Sequence, residues 1–207
     1  MSRYHGPRLR VIRRLGELPA LTRKKPKNQN PPGQHGSTQG KFFKKKASQY
    51  GIRLREKQKL RFNYGITESQ LRRYAAQAKK EKGSTGDRLL QLLEMRLDNL
   101  IFRLGMAPTV VAARQLVVHG HILINGRKIT VPNYQCSEKD EISISGKKNS
   151  QQLITSYLEQ SDQSNIPPHL TFQKEKMTGF VNREIDRRWV GLPIDDLLVV
   201  EFYSNRV

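Results

Sequence analysis

The stretch from Met95 to Arg127 limits this chain's folding choices more than any other. It reads as helix, tight break, helix and then a strand closed by Asn125-Gly126. Leu97, Leu100, Ile101 and Leu104 fall on one side of a 3.6-residue period, and Arg96, Asn99 and Arg103 on the other. Gly105 can adopt the left-handed conformation that ends a helix. Pro108 resists continuation, and Thr109 is placed to cap a second helix. That helix is expected to bury Ala113, Leu116 and Val117, to leave Arg114 outside and to stop at Gly120. The run Ile122-Leu123-Ile124 is apolar and rich in β-branched residues, and Asn-Gly after it is the strongest short hairpin signal. The expectation is an αα-hairpin on a small sheet, with the cations Arg96, Arg103, Arg114, Arg127 and Lys128 along one rim.

Charge then says what such a module faces. The chain has 207 residues, room for one or two domains, and a formal net charge of +20. Residues 1–82 hold 23 Lys/Arg against 4 Asp/Glu, and the remaining 125 residues hold 15 against 14. A solvated surface of mixed sign does not predict that polarisation; a nucleic-acid footprint does.

Residues 1–50 read as a basic arm, with Arg3, Arg8, Arg10, Arg13 and Arg14 early and Lys41, Lys44, Lys45 and Lys46 late. The stretch from Lys24 to Gly40 holds too much Pro, Gly, Asn and Gln to bury a core. Tyr4, Phe42, Phe43 and Tyr50 are interleaved with the cations, a composition suited to neutralising phosphates and stacking on splayed bases. Residues 51–64 read as a helix with a basic stripe at Arg53, Lys57 and Arg61, flanked by Arg55 and Lys59. Thr67 and Gln70 form a capping box and Ile66 with Leu71 a hydrophobic staple, so a new helix starts at Thr67 and exposes Arg72, Arg73, Lys79 and Lys80. One continuous helix is expected from Ser84 or Thr85 to Leu104, then a strand around Asp140–Ile144. Residues 146–165 read as a mobile excursion with at most a weak helix around Leu153–Leu158. Leu170–Phe172 and Phe180-Val181 read as a hairpin, Asp195–Leu198 as a helical turn and Leu198–Tyr203 as a closing strand.

Little in the chain points to chemistry. The single Cys136 excludes an internal disulfide and reads as a buried small hydrophobe. His119 and His121 have no third ligand nearby in sequence, so no metal is expected. Glu94 and Asp98 are four residues apart and read as ion-pair partners within a helix rather than as an acid pair. Gly83–Gly86 lacks the Lys-Ser/Thr of a phosphate-binding loop. No cofactor, small-molecule substrate or membrane span is expected, and no enzymatic activity. The Arg-rich N-terminus is poor in Ser and reads as working protein rather than a transit peptide.

The motifs carry a resemblance. R-L-D-N at 96–99, F-R-L-G at 102–105, A-R-Q-L at 113–116, H-G-H-I-L-I-N-G-R at 119–127 and Y-Q-C at 134–136 resemble the RNA-binding domain named after ribosomal protein S-four. That module also occurs in some tyrosyl-tRNA synthetases, pseudouridine synthases and a ribosome-binding heat-shock protein, so it does not choose a function by itself. The remaining segments do. S-R-Y-H-G-P-R-L-R at 2–10, R-R-L-G-E-L-P at 13–19, P-P-G-Q-H-G at 31–36, Q-Y-G-I-R-L-R-E-K-Q-K-L-R at 49–61, G-S-T-G at 83–86 and L-L-V-V-E-F-Y-S at 197–204 together are similar to the small-subunit ribosomal protein S-four family, in its cyanobacterial and plastid branch.

The resemblance implies an α+β fold. A basic arm (1–50) is followed by a helical RNA-binding domain (51–95, completed by 170–207), an S-four-type module (96–146) and an excursion (147–169). It implies a structural constituent of the small ribosomal subunit that binds small-subunit ribosomal RNA early, at a junction in the 5′ domain. Its neighbours would be the third and fifth small-subunit proteins, with messenger RNA near Lys41, Lys44, Lys45 and Lys46, and it would contribute to decoding accuracy. The cations of 3–14, 53–61 and 72–73 and the module rim with His119 would hold ribosomal RNA. The location implied is a plastid ribosome with the gene in the organelle, or alternatively a cyanobacterial cytoplasm. A ribosome-associated rescue or chaperone factor using the same module is the alternative function.

Overall fold

A computed structural model of the chain describes residues 4–28, 30–33, 36, 48–160 and 166–204. In chain order the described elements are α1 (Arg8–Leu15), α2 (Gln49–Asn63), α3 (Glu68–Lys80), α4 (Thr85–Glu94), α5 (Leu97–Arg103), α6 (Val110–Val118), β1 (Ile122–Ile124), β2 (Arg127–Lys128), β3 (Glu141–Ile144), α7 (Lys148–Glu159), β4 (Leu170–Gln173), β5 (Thr178–Val181), a 3-10 turn (Arg187–Trp189) and α8 (Asp196–Ser204). The chain divides into two compact units, one of residues 1–86 with 192–207 and one of residues 87–191. The fold is α+β, helical in unit 1 and mixed in unit 2.

Unit 1 is built from helices whose starts are written in the sequence. Ser48 caps α2, its hydroxyl accepting from the Gly51 amide at 3.1 Å. At α3 the Thr67 hydroxyl accepts from the Gln70 amide, and the Gln70 side chain accepts from the Thr67 amide, closing the capping box. Ile66 and Leu71 are both buried, as the staple requires. Leu60, Tyr64, Leu71 and Ala78 lie in the core of this unit, where each large apolar side chain contributes roughly 1.5–3 kcal/mol.

α8 packs along α2 and corrects the expected closing strand. A short apolar run fits a strand or a buried helix equally well. Here the Asp195 carboxylate accepts from the amides of Leu197 and Leu198 and starts a helix, and Val199, Phe202 and Tyr203 then fall on one buried face. The expected grouping of 170–207 with the helical half divides accordingly. Residues 192–207 lie in unit 1, while 170–191 lie in unit 2, because β5 pairs with β3.

Unit 2 holds a five-stranded sheet in the order β2-β1-β3-β5-β4, every adjacent pair antiparallel. Asn125 and Gly126 both have positive φ, 49° and 75°, and join β1 to β2 with Ile124 opposite Arg127. α5 and α6 form the αα-hairpin, with Gly105 at φ 77° ending the first helix and the Thr109 hydroxyl accepting from the Ala112 amide to start the second. Leu97, Leu100, Ile101, Leu104, Ala113, Val117, Ile122, Ile142 and Ile154 make one core.

Two expectations are corrected in this unit. The helix from 85 to 104 is broken at Met95-Arg96, since Arg96 is extended (φ −72°, ψ 140°). The segment 132–136 intercepts the backbone there. The amides of Leu97 and Asp98 donate to the carbonyls of Tyr134 and Pro132, and the Cys136 amide donates to that of Met95. Residues 148–159 are a helix, α7, rather than an excursion, because Ile154 is fully buried with Leu153, Tyr157 and Leu158 beside it. Residues 161–165 of that stretch lie outside the described residues.

Candidate nucleic-acid interface

In unit 1 the helix faces sort the cations. Leu71, Tyr74, Ala75 and Ala78 line the inward side of α3, which leaves Arg72, Arg73, Lys79 and Lys80 exposed on the other. Val11 and Ile12 are the inward side of α1 and leave Arg10 and Arg14 exposed. Arg13 is half-buried and holds the 30–33 loop, donating to the carbonyls of Asn30 (2.8 Å) and Pro31 (3.3 Å), and Arg8 donates to Leu21 at 3.4 Å.

The α2 stripe is only partly a surface. Arg55 is exposed, and Arg61 lies over the Phe62 ring at 5.0 Å. Arg53 pairs with Glu201 and Lys59 with Glu56, both at 2.6 Å. Lys57, expected outside, is 5 % exposed. Its ammonium meets Glu68 at 2.9 Å and sits 4.7 Å from the Phe202 ring centre, because the turn of α2 that carries it packs under α8. Burial pulls the Glu68 carboxyl up, but hydrogen bonds from Lys57 and Tyr203 and the charges of Lys57 and Arg61 outweigh it and leave it below the usual value. Arg3, Lys41, Lys44, Lys45 and Lys46 lie outside the described residues.

In unit 2 the expected rim splits. Arg96 is 1 % exposed, and its guanidinium meets Asp98 bidentately at 3.0 and 2.8 Å. Arg114 donates to the same carboxylate at 2.7 and 3.2 Å. Arg103 clamps Glu94 at 2.6 and 3.0 Å, and Asn99 adds a bond to Glu94 at 2.6 Å. Both carboxylates are fully buried, so these three arginines are drawn in as counter-ions. A helical wheel places Arg96 outside; the break before α5 swings it in.

His119, Arg127 and Lys128 remain exposed at the end of the sheet. Lys147 joins them, a residue the sequence reading missed. Ile122 pairs with Ile144 and the Ser145 amide donates to the His121 carbonyl at 2.8 Å, which returns the chain after β3 to the start of β1. Only the strand register carries that signal. Partial burial and the positive charges of His119, Lys147 and Lys128 hold His121 below the usual imidazole value, and its Nδ1 meets the Ser150 hydroxyl at 2.8 Å. This cluster is therefore cationic without His121 being charged near neutrality.

Among the described residues no group of three or more His, Cys, Asp or Glu is placed to hold a metal ion, and no helix is long and apolar enough to cross a membrane. Cys136 is buried, and burial with the charges of Asp140 and Asp98 pushes its thiol far up, as fits an inert small hydrophobe.

Comparison with known proteins agrees with these features. Residues 3–94 match the family described as Ribosomal protein S4/S9 N-terminal domain, and residues 95–142 match the S4 domain. The chain is 58% identical over 207 residues to the small ribosomal subunit protein uS4c of Nephroselmis olivacea, covering all of both chains. It is 60% identical over 205 residues to uS4c of Oltmannsiellopsis viridis, 99% of this chain and 100% of that one. It is 55% identical over 207 residues to uS4 of Thermosynechococcus vestitus, again over the full length of both.

Proposed function

This chain belongs to the small ribosomal subunit protein uS4 family, and on that premise we propose that it binds small-subunit ribosomal RNA at a junction of the 5′ domain as an early assembly protein. The family is structural rather than enzymatic. Its relatives here are plastid and cyanobacterial proteins, so the particle is a plastid or cyanobacterial small subunit.

The observation that carries the RNA reading is the outward row of α3, where Arg72, Arg73, Lys79 and Lys80 are all exposed. A row of that kind neutralises a phosphate backbone and releases its counterions. Side chains cannot read the deep major groove of A-form RNA, so recognition is of backbone shape. His119, Arg127, Lys128 and Lys147 form the second contact area. The third and fifth small-subunit proteins are the proposed protein neighbours, and Lys41 and Lys44–Lys46 the residues nearest the messenger path; both assignments rest on the family resemblance.

The test is filter binding of the full chain to a 5′-domain transcript across a salt series. The expected result is a steep fall of log K with log salt and a preference over an unrelated folded RNA of equal length. Equal affinity for both RNAs rejects the reading. A rescue or chaperone factor would leave small subunits in high-salt sedimentation, whereas a structural constituent stays on.

A further inference from the structure

Unit 1 contains a groove of about 700 Å³ between α1 and the start and outer side of α2. We propose that it takes one unstacked nucleotide of the bound RNA, an inference that rests on the RNA-binding reading above. Arg10 and Arg14 come from α1, Arg55 and Arg61 from α2, and the rings are Tyr4 and Phe62. The Tyr4 ring stands edge-on to Phe62, with centroids 5.2 Å apart and planes at 79°. Arg61 covers Phe62. The end of α2 capped by Ser48 opens onto the same space and adds the positive end of a 15-residue helix.

The lining selects the ligand. No carboxylate is among its described lining residues; the Arg61 charge also acts on Glu68, which leaves Arg10, Arg14 and Arg55 as the cations that face no carboxylate in the lining. Glu56, the acid on α2, is engaged by Lys59 and accepts from the Asp195 amide at 3.4 Å. The groove therefore wants an anion. It is also lined by Val11, Leu54 and two rings, surface that an inorganic anion leaves unused. A base held in a duplex presents its edge, not its face, and cannot enter. A nucleotide turned out of the stack supplies both a phosphate for the arginines and a flat face for the Tyr4 ring. A side chain at Gly6 would collide with the Tyr4 ring, 2.6 Å from its tip, so glycine there lets Tyr4 fold back over its own segment.

The experiment uses the full chain and an unmodified 5′-domain transcript, cross-linked by short-wave ultraviolet light so that a base of any kind can report. Irradiation of the complex is expected to give a cross-linked peptide carrying Tyr4 or Phe62. Tyr4→Ala, at a position 47 % exposed and checked for native circular dichroism, is expected to weaken transcript binding about 5- to 10-fold through lost stacking. Its salt slope should stay unchanged. Arg10→Gln with Arg14→Gln should instead lower the slope by about 2. Neither affinity nor slope for a blunt RNA duplex should respond to Tyr4→Ala. Cross-links confined to other peptides, wild-type affinity in Tyr4→Ala, or an equal loss on the duplex would each overturn the nucleotide site while leaving RNA binding intact. A full chain that ignores the transcript altogether removes the RNA reading and this site with it.

Discussion

In unit 2 the arginines of the helical hairpin turn inward, whereas in unit 1 Arg10 and Arg14 of α1 and Arg72 and Arg73 of α3 turn outward. Arg96, Arg103 and Arg114 meet Asp98 and Glu94, two carboxylates with no exposed surface. Arg10, Arg14, Arg72 and Arg73 lie exposed with no described carboxylate bond. The difference is set by the supply of buried anion. The hairpin guanidiniums are drawn in where a buried carboxylate and its hydrogen bonds wait. Position on a helical wheel decides it on α3, where no buried carboxylate competes, and fails at Arg96, where one does.

The sharpest way to break that contrast is to remove the shared anion. Asp98→Ala takes away the carboxylate shared by the buried Arg96 and the half-buried Arg114 and is expected to cost about 3–5 kcal/mol, seen as loss of the folded module by denaturant titration or near-ultraviolet circular dichroism. Arg103→Glu with Arg114→Glu sets like charges against Glu94 and Asp98 and should unfold the module too. A folded double variant with weakened RNA binding would restore both arginines to the outer rim.

Acid should separate the units next. His169 is 1 % exposed in unit 2, with neither ring nitrogen bonded among the described residues. Burial first, then Arg103 and Arg183 against the opposing pull of Glu94, lower its value from 6.5 to about 4. A lowered value in the folded state means stability present above pH 6.5 and lost as pH falls toward 4, up to on the order of 3 kcal/mol. Glu68 in unit 1 is also lowered, from 4.5, so its contribution is lost only below that pH. The prediction is that unit 2 melts first between pH 6.5 and 4, and that His169→Phe flattens the slope. A slope unchanged in that variant would assign the acid response elsewhere.

Arg72→Gln with Arg73→Gln tests the outward half. Stability should stay within about 0.5 kcal/mol. The salt slope of RNA binding should fall by about 2, one per phosphate contact. A large stability loss with an unchanged slope would make these arginines structural, like those of unit 2.

Which parts were legible in the sequence follows from range. Thr67 with Gln70, Thr109 with Ala112 and Asn125-Gly126 act within four residues, and each forms as its chemistry demands. α8 is not legible locally, because Leu198–Tyr203 satisfies both strand and buried helix and its packing partner α2 lies far back in the chain. The inward turn of Arg96 is not legible either, because the break before α5 is made by carbonyls of 132 and 134, which no local pattern announces. Arg72, Arg73, Arg127 and Lys128 were read correctly as exposed, since period and turn settle them. Lys147 needed the β1–β3 register.

Lys57 gives the finest test, because it is a cation of unit 1 that turns inward as those of unit 2 do. Its stem and ammonium are covered by α8, and Glu68, its partner, has a side chain still 45 % exposed. An ion pair with one wet partner is worth little, about 0.5–1 kcal/mol. Met at this position keeps the unbranched stem that packs beside Phe202 and loses only the charge. Lys57→Met should therefore change stability by less than about 1 kcal/mol. Its salt slope for RNA should equal that of the wild type, unlike the double variant on α3. A slope reduced by about 1 would mean that Lys57 leaves Glu68 for a phosphate when RNA is bound. Inward and outward cations would then be two states of one residue rather than two classes fixed by the fold.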